Sequence, residues 1–209
     1  MQKNSNLTNV KTVAELLVEY LERRKVKHIF GLCGHTNIAV LSALETSPIE
    51  FITVRHEQIA SHAADAYARV TGKASVVLSH LSPGLTNCAT GVANAALDCT
   101  PMVVIAGDIP THYYGKHPHQ EVNLHSDASQ YEIYRPFVKR AWRVDSAELM
   151  PEIIEKAFQK DYDDYKHNPN SQPNHIRVGL SITESTFHLL GCKLKMYFQS
   201  ENISMDLTR

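Results

Sequence analysis

Between Thr12 and Phe158 the apolar positions follow two alternating rhythms, a helical period and short unbroken runs. Val13, Leu16, Leu17, Tyr20 and Leu21 form a stripe at helical spacing, and Thr12-Val13-Ala14-Glu15 has the form of a capping box that starts it. Val26 to Phe30 reads as a strand ending at Gly31. Further along, the pattern predicts helix 37–45, strand 50–54, helix 57–70, strand 75–79, helix 84–97 and strand 102–106. The runs Ser75-Val76-Val77-Leu78 and Met102-Val103-Val104-Ile105-Ala106 are continuous, as in strands with helices on both faces. A strand over 138–144 and a helix over 147–159 with Ser146 as its N-cap complete the series. This alternation predicts an α/β fold: a three-layer αβα domain with a mainly parallel, doubly wound sheet.

In such a sheet the ligand site lies beyond the carboxyl ends of the strands, where the strand order reverses. Four segments fall there: Gly31-Leu32-Cys33-Gly34-His35, Arg55-His56-Glu57, His80-Leu81-Ser82-Pro83-Gly84 and Gly107-Asp108-Ile109-Pro110. Their glycines match neither a P-loop nor the GxGxxG fingerprint, which argues against a nucleotide site. Glu57 stands out among them. It opens an Ala-rich helix expected to be buried on most sides, where an ionised carboxylate is costly unless something uses it. The competing reading is that Glu57 only complements the helix dipole.

Composition narrows the function classes. A chain of 209 residues with formal charge −1 and no basic run does not point to nucleic acid. The polar start Met1-Gln2-Lys3-Asn4-Ser5-Asn6 lacks the apolar core of a secretory signal, and no apolar run is long enough to span a bilayer. Cys33, Cys88, Cys99 and Cys192 show no close pairing, which fits a reducing, cytoplasmic setting. His112, His117, His119 and His125 are irregularly spaced around Pro118, so a solvated loop is favoured over a metal site and no metal ligand is assigned.

Taken together, the motifs resemble the N-terminal, pyrimidine-binding domain of thiamine-diphosphate-dependent enzymes of the acetolactate synthase and 2-oxo-acid decarboxylase superfamily. The match runs through Phe30-Gly31-Leu32-Cys33-Gly34-His35, Arg55-His56-Glu57-Gln58, Tyr67-Ala68-Arg69, Thr71-Gly72-Lys73 and Ser82-Pro83-Gly84 with Thr86-Asn87. It continues through Asp98 with Pro101, Gly107-Asp108-Ile109-Pro110 and His119-Gln120-Glu121-Val122, covering about residues 12–159 in order. The resemblance implies that Glu57 hydrogen-bonds N1′ of the cofactor's aminopyrimidine and so activates the cofactor, with Cys33, Gly34, Gly84 and Asn87 in the cofactor-binding segments. It further implies that His35, His80 and Gln120 face the substrate, a small 2-oxo acid, with His80 and Gln120 also catalytic. For each of the two histidines the competing reading is a ring that merely bonds a strand-end carbonyl.

The departures are as informative. Cys33 replaces the family's usual proline and is expected to be a small buried residue at a tight turn. His119 replaces the phenylalanine common before that glutamine. Lys160 to Lys166 stands where a short turn is usual, and His175 to Leu180 is the candidate for the family's final strand. Phe187 to Met196 matches nothing in the family, so residues 1–185 are assigned to the domain and 186–209 to an atypical tail. The family's central and diphosphate-binding domains, and with them the segment that holds Mg²⁺, have no counterpart in these residues; FAD dependence stays open. The resemblance therefore implies half of a thiamine-diphosphate site, inactive as an isolated chain, whose partner is a diphosphate-binding domain or a second copy. Three readings follow: the N-terminal piece of an acetolactate synthase-like carboligase or decarboxylase, the small subunit of a two-chain 2-oxo-acid decarboxylase, or a non-catalytic binding or dimerisation module.

Overall fold

The structure, a computed structural model, describes residues 11–116, 120, 129–167 and 177–183. It begins with α1 (Val13–Arg23), whose capping box is formed: Thr12 N–H donates to Glu15 Oε2 at 2.6 Å and Glu15 N–H to Thr12 Oγ1 at 3.2 Å. There follow β1 (His28–Gly31), a 3₁₀ turn at His35–Asn37, α2 (Ile38–Leu44), β2 (Glu50–Thr53), α3 (Glu57–Thr71), β3 (Ser75–His80), α4 (Leu81–Leu97) and β4 (Met102–Asp108). β5 (Arg140–Val144), α5 (Met150–His167) and β6 (Arg177–Thr183) close the domain. Ser146 stands at the N-cap of a short 3₁₀ turn that leads into α5, with extended backbone and no side-chain cap bond.

The six strands form one sheet in the order β2-β1-β3-β4-β6-β5, and every pair is parallel. The candidate strand near 175–180 is thus a true member, inserted between β4 and β5. Side chains alternate across the central strands. Ile29, Val76, Leu78, Val103 and Ile105 pack under α1, α2 and α5, while Phe30, Val77, Val104 and Ala106 pack under α3 and α4. Two apolar layers, one on each face, are what continuous apolar runs require.

Three helices differ from the sequence reading. α5 starts at Met150 and runs to His167, where a helix over 147–159 is expected, and α4 and α3 differ as well. α4 starts at Leu81, so Ser82-Pro83-Gly84 is its first turn and not a loop before it. Proline fits there because the first turn's N–H groups have no intrahelical partner to lose. The junction is tight: Leu81 is fully buried with φ +46, a conformation unusual for a residue with a side chain. α3 is buried on one face only, through Glu57, Ala60, Ser61, Ala64, Asp65 and Ala68, while Ile59 and Val70 are exposed. The expectation of a helix buried on most sides fails because α3 lies in an outer layer, and alanine at its outer positions reflects helix propensity as much as burial.

Candidate functional site

The sheet reverses its winding between β1 and β3. From β1 the chain moves outward through α2 to β2, and from β2 it crosses back through α3 to β3 on the other side of β1. The carboxyl ends of β1 and β3 therefore frame a crevice, and the start of α3 opens beside it.

Glu57 is the first residue of α3 and is 8 % exposed. The helix start is fixed by His56, whose Nδ1 accepts the Gln58 N–H at 3.2 Å as an N-cap. The Glu57 carboxylate accepts from Asn87 Nδ2 at 3.0 Å, and its backbone carbonyl accepts from the Cys88 thiol at 3.3 Å. Both partners come from α4, which ties the two helix starts together. Gly84 faces the same carboxylate: a Cβ there would lie 3.6 Å from Glu57 Oε1 and would collide with the hydroxyl of Ser79. The glycine is required because α4 begins directly over the end of β3. The Cys88 thiol is pushed up to about 12, first by burial and then by the Glu57 charge.

The second cluster lies across the crevice. His80, the last residue of β3, has Nδ1 2.7 Å from Thr36 Oγ1 and Nε2 3.0 Å from Gln120 Oε1, and its ring meets the edge of His35 with centroids 4.6 Å apart. His35, His80 and Gln120, from three separate segments, are thus brought together. Gly34 lies flat against the His80 ring, where a Cβ would collide with Cγ, and Gly107 leaves matching room for Thr36. Both ring nitrogens of His80 bond side chains from other segments. Gln120 takes φ +67, and its neighbour His119 lies outside the described residues, as do His117, His125, Cys192 and the tail after 183. Cys33 is exposed, which corrects the expectation of a buried small residue: the loop after β1 leaves the sheet before it turns back at Gly34.

Three residues with structural weight here were missed in the sequence. Thr36 is one. Asn37 is fully buried; its Oδ1 accepts Gly34 N–H at 2.9 Å and its Nδ2 donates to Leu32 O at 3.1 Å and Ser79 O at 3.4 Å, lacing the β1 loop to β3. Gln130, also fully buried, donates to Gly107 O at 3.0 Å and accepts from Ser82 Oγ at 3.1 Å. The only signal was a Thr-Asn pair where a helix was expected to begin, and nothing in local pattern separates that from an exposed cap. Among the described residues no group of three or more His, Cys, Asp or Glu is placed to hold a metal ion. No described helix is long and apolar enough to cross a membrane.

An all-parallel α/β domain with a sheltered carboxylate and a cluster of hydrogen-bonding side chains at its switch point belongs to the class of ligand-binding α/β domains. The family is specific: residues 11–129 match "Thiamine pyrophosphate enzyme, N-terminal TPP binding domain", and the chain belongs to it. It is 42 % identical over 146 residues to the acetolactate synthase large subunit of Buchnera aphidicola from Schizaphis graminum, covering 69 % of this chain and 24 % of that protein. The isozyme 3 large subunit of Escherichia coli K12 is 39 % identical over 146 residues, covering 69 % and 24 %. The acetolactate synthase of Arthrospira platensis is 36 % identical over 162 residues, covering 76 % and 27 %. The chain spans about a quarter of the length of these curated relatives.

Proposed function

We propose that this chain provides the pyrimidine half of a thiamine-diphosphate site in an acetolactate synthase-like enzyme acting on 2-oxo acids, with Glu57 as the residue that activates the cofactor. The observation that carries the reading is the buried Glu57 carboxylate at the start of α3, with Asn87 on one oxygen and side-chain-free Gly84 near the other. The donor set fits the aminopyrimidine: a carboxyl group matches a weakly basic ring nitrogen. Thiamine diphosphate, when bound, supplies the nucleophilic carbon and the electron sink. Glu57 holds a proton against N1′ of the ring, and Asn87 keeps the carboxylate oriented. His35, His80 and Gln120 offer hydrogen bonds to the 2-oxo acid on the other side of the crevice.

Mg²⁺ and the diphosphate are assigned to a diphosphate-binding domain outside these residues, reached through a partner subunit or in a homodimer. A cytoplasmic setting suits the free, exposed thiol of Cys33.

The test is ligand-observed NMR on the chain with thiamine diphosphate. Saturation transfer to the pyrimidine protons is expected for the wild type and lost in Glu57→Gln, while the chain stays folded. In the enzyme assembled with a diphosphate-binding domain, Glu57→Gln should slow exchange of the cofactor C2 proton by about 100-fold or more. Equal transfer and equal exchange in both proteins would overturn the assignment.

A further inference from the structure

Three backbone segments converge on one hydroxyl–imidazole pair. Thr36 sits on the 3₁₀ turn after β1, His80 ends β3, and Gly107 lies near the end of β4. Thr36 is 2 % exposed, and a Cβ on Gly107 would strike its hydroxyl, its Cβ and its carbonyl. The His80 ring lies on Gly34 in the same way. Neither group has room to turn, so their contact at 2.7 Å is built by the fold and does not depend on a mobile surface.

The chemistry of the partners decides the direction of the bonds. An amide oxygen only accepts, so Nε2 carries the proton in the contact with Gln120 Oε1 at 3.0 Å. A neutral imidazole with its proton on Nε2 has a lone pair on Nδ1. A hydroxyl can give or accept, so Thr36 donates to that lone pair. The ring's two ends thus have separate tasks. Nδ1 faces the packed side, against a residue that is almost fully buried, and Nε2 faces the exposed side, where Gln120 lies.

We propose that Thr36 is a positioning residue that holds His80 as the Nε2–H tautomer and thereby presents an N–H donor to an oxygen of the substrate. The proposal rests on the reading of this crevice as a site for a 2-oxo acid, whose carbonyl and carboxylate oxygens are acceptors that such a donor matches. Gln120 holds the N–H when substrate is absent and exchanges it for the substrate oxygen. His35, edge-on to His80, keeps the ring from swinging out of the crevice.

The test uses nitrogen-15 histidine labelling of the chain, read at pH about 9, where imidazoles are neutral. His80→Gln assigns the signal. The wild type is expected to show a protonated Nε2 and an Nδ1 resonance moved from the free-imidazole value by its hydrogen bond. Thr36→Val should return Nδ1 to the free value and mix the tautomers, and Thr36→Ser should restore the wild-type pattern. If Thr36→Val does not fold, Thr36→Ala takes its place in the comparison. A protonated Nδ1 in the wild type, or an unchanged Nδ1 signal in the valine or alanine variant, would overturn the proposal. Either result leaves pyrimidine contact at Glu57 standing, whereas loss of that contact with the His80 signature intact would count against the cofactor reading alone.

Discussion

At the scale of single residues, the crevice depends on groups whose removal leaves others unpaired. Asn37 satisfies a backbone N–H and two carbonyls from the β1 loop and β3. Asn37→Ala should lower stability by about 2–3 kcal/mol, because buried polar atoms lose their partner without gaining water; urea denaturation measures it. The cysteines offer a contrast in reactivity. Cys33 is exposed, and Cys88 is buried with its thiol pushed up to about 12. Alkylation at pH about 8 should modify Cys33 in the folded chain and Cys88 only after unfolding, read by peptide mass spectrometry. The sign of the pH effect follows. Folding holds the Cys88 proton that the unfolded chain releases near the ordinary thiol value of 9.0, so this contribution is full below that pH and is lost as pH rises toward 12. Glu57, His80 and Gln120 stand out in the sequence because their segments occur in the order that the family shows. Thr36 and Asn37 do not, since burial of a polar residue depends on strands far away along the chain.

At the scale of elements, local chemistry and packing make separable contributions. The capping box of α1 was read from four consecutive residues and is formed. Thr12→Ala should cost about 1 kcal/mol in thermal or urea unfolding, the usual loss for a helix cap. The α3–α4 contact rests on a different logic. Gly91 lets α4 approach α3 so closely that a Cβ would collide with Oγ and Cβ of Ser61 and lie 3.0 Å from the backbone N of His62. Gly91→Ala should destabilise by about 1–3 kcal/mol through overpacking, and less in a Ser61→Gly background; a double-mutant cycle reads the difference. Small residues in these helices therefore serve to join the two helices of one chain. The start of α4 was misplaced by three residues because Pro-Gly is usually a turn signal; here the tight β3–α4 junction makes it a first helical turn.

At the scale of the whole molecule, α3 and α4 carry exposed apolar side chains on the outside of the domain. Ile59 is 54 % exposed on α3, Val70 is 87 % exposed near its end, and Leu97 is 82 % exposed at the end of α4. Exposed apolar positions on adjoining helices favour association. Sedimentation velocity should show concentration-dependent self-association that the double variant Val70→Glu, Leu97→Glu reduces; a monomer at all concentrations would speak against a homodimer through this face. The other face is closed by α1, α2 and α5, where Tyr20 hydrogen-bonds Glu155, and Arg24 bonds both the Tyr20 hydroxyl at 2.7 Å and Glu155 at 2.5 Å. Burial and the neighbouring carboxylate raise the Tyr20 phenol well above its ordinary value, so it acts as a neutral donor.

The sequence by itself determined the alternation of helices and buried strands, the parallel layered class, the family, and which loops lie at the carboxyl ends of the strands. These follow from periodicities and motifs written within short windows. Tertiary structure decided the order β2-β1-β3-β4-β6-β5, the single buried face of α3, the exposure of Cys33 and the meeting of Thr36, His80 and Gln120. Those depend on which distant strands become neighbours. A residue's burial and hydrogen-bond partners are set by that packing, so local pattern places Thr36 at the start of a helix but does not place it against an imidazole 44 residues away.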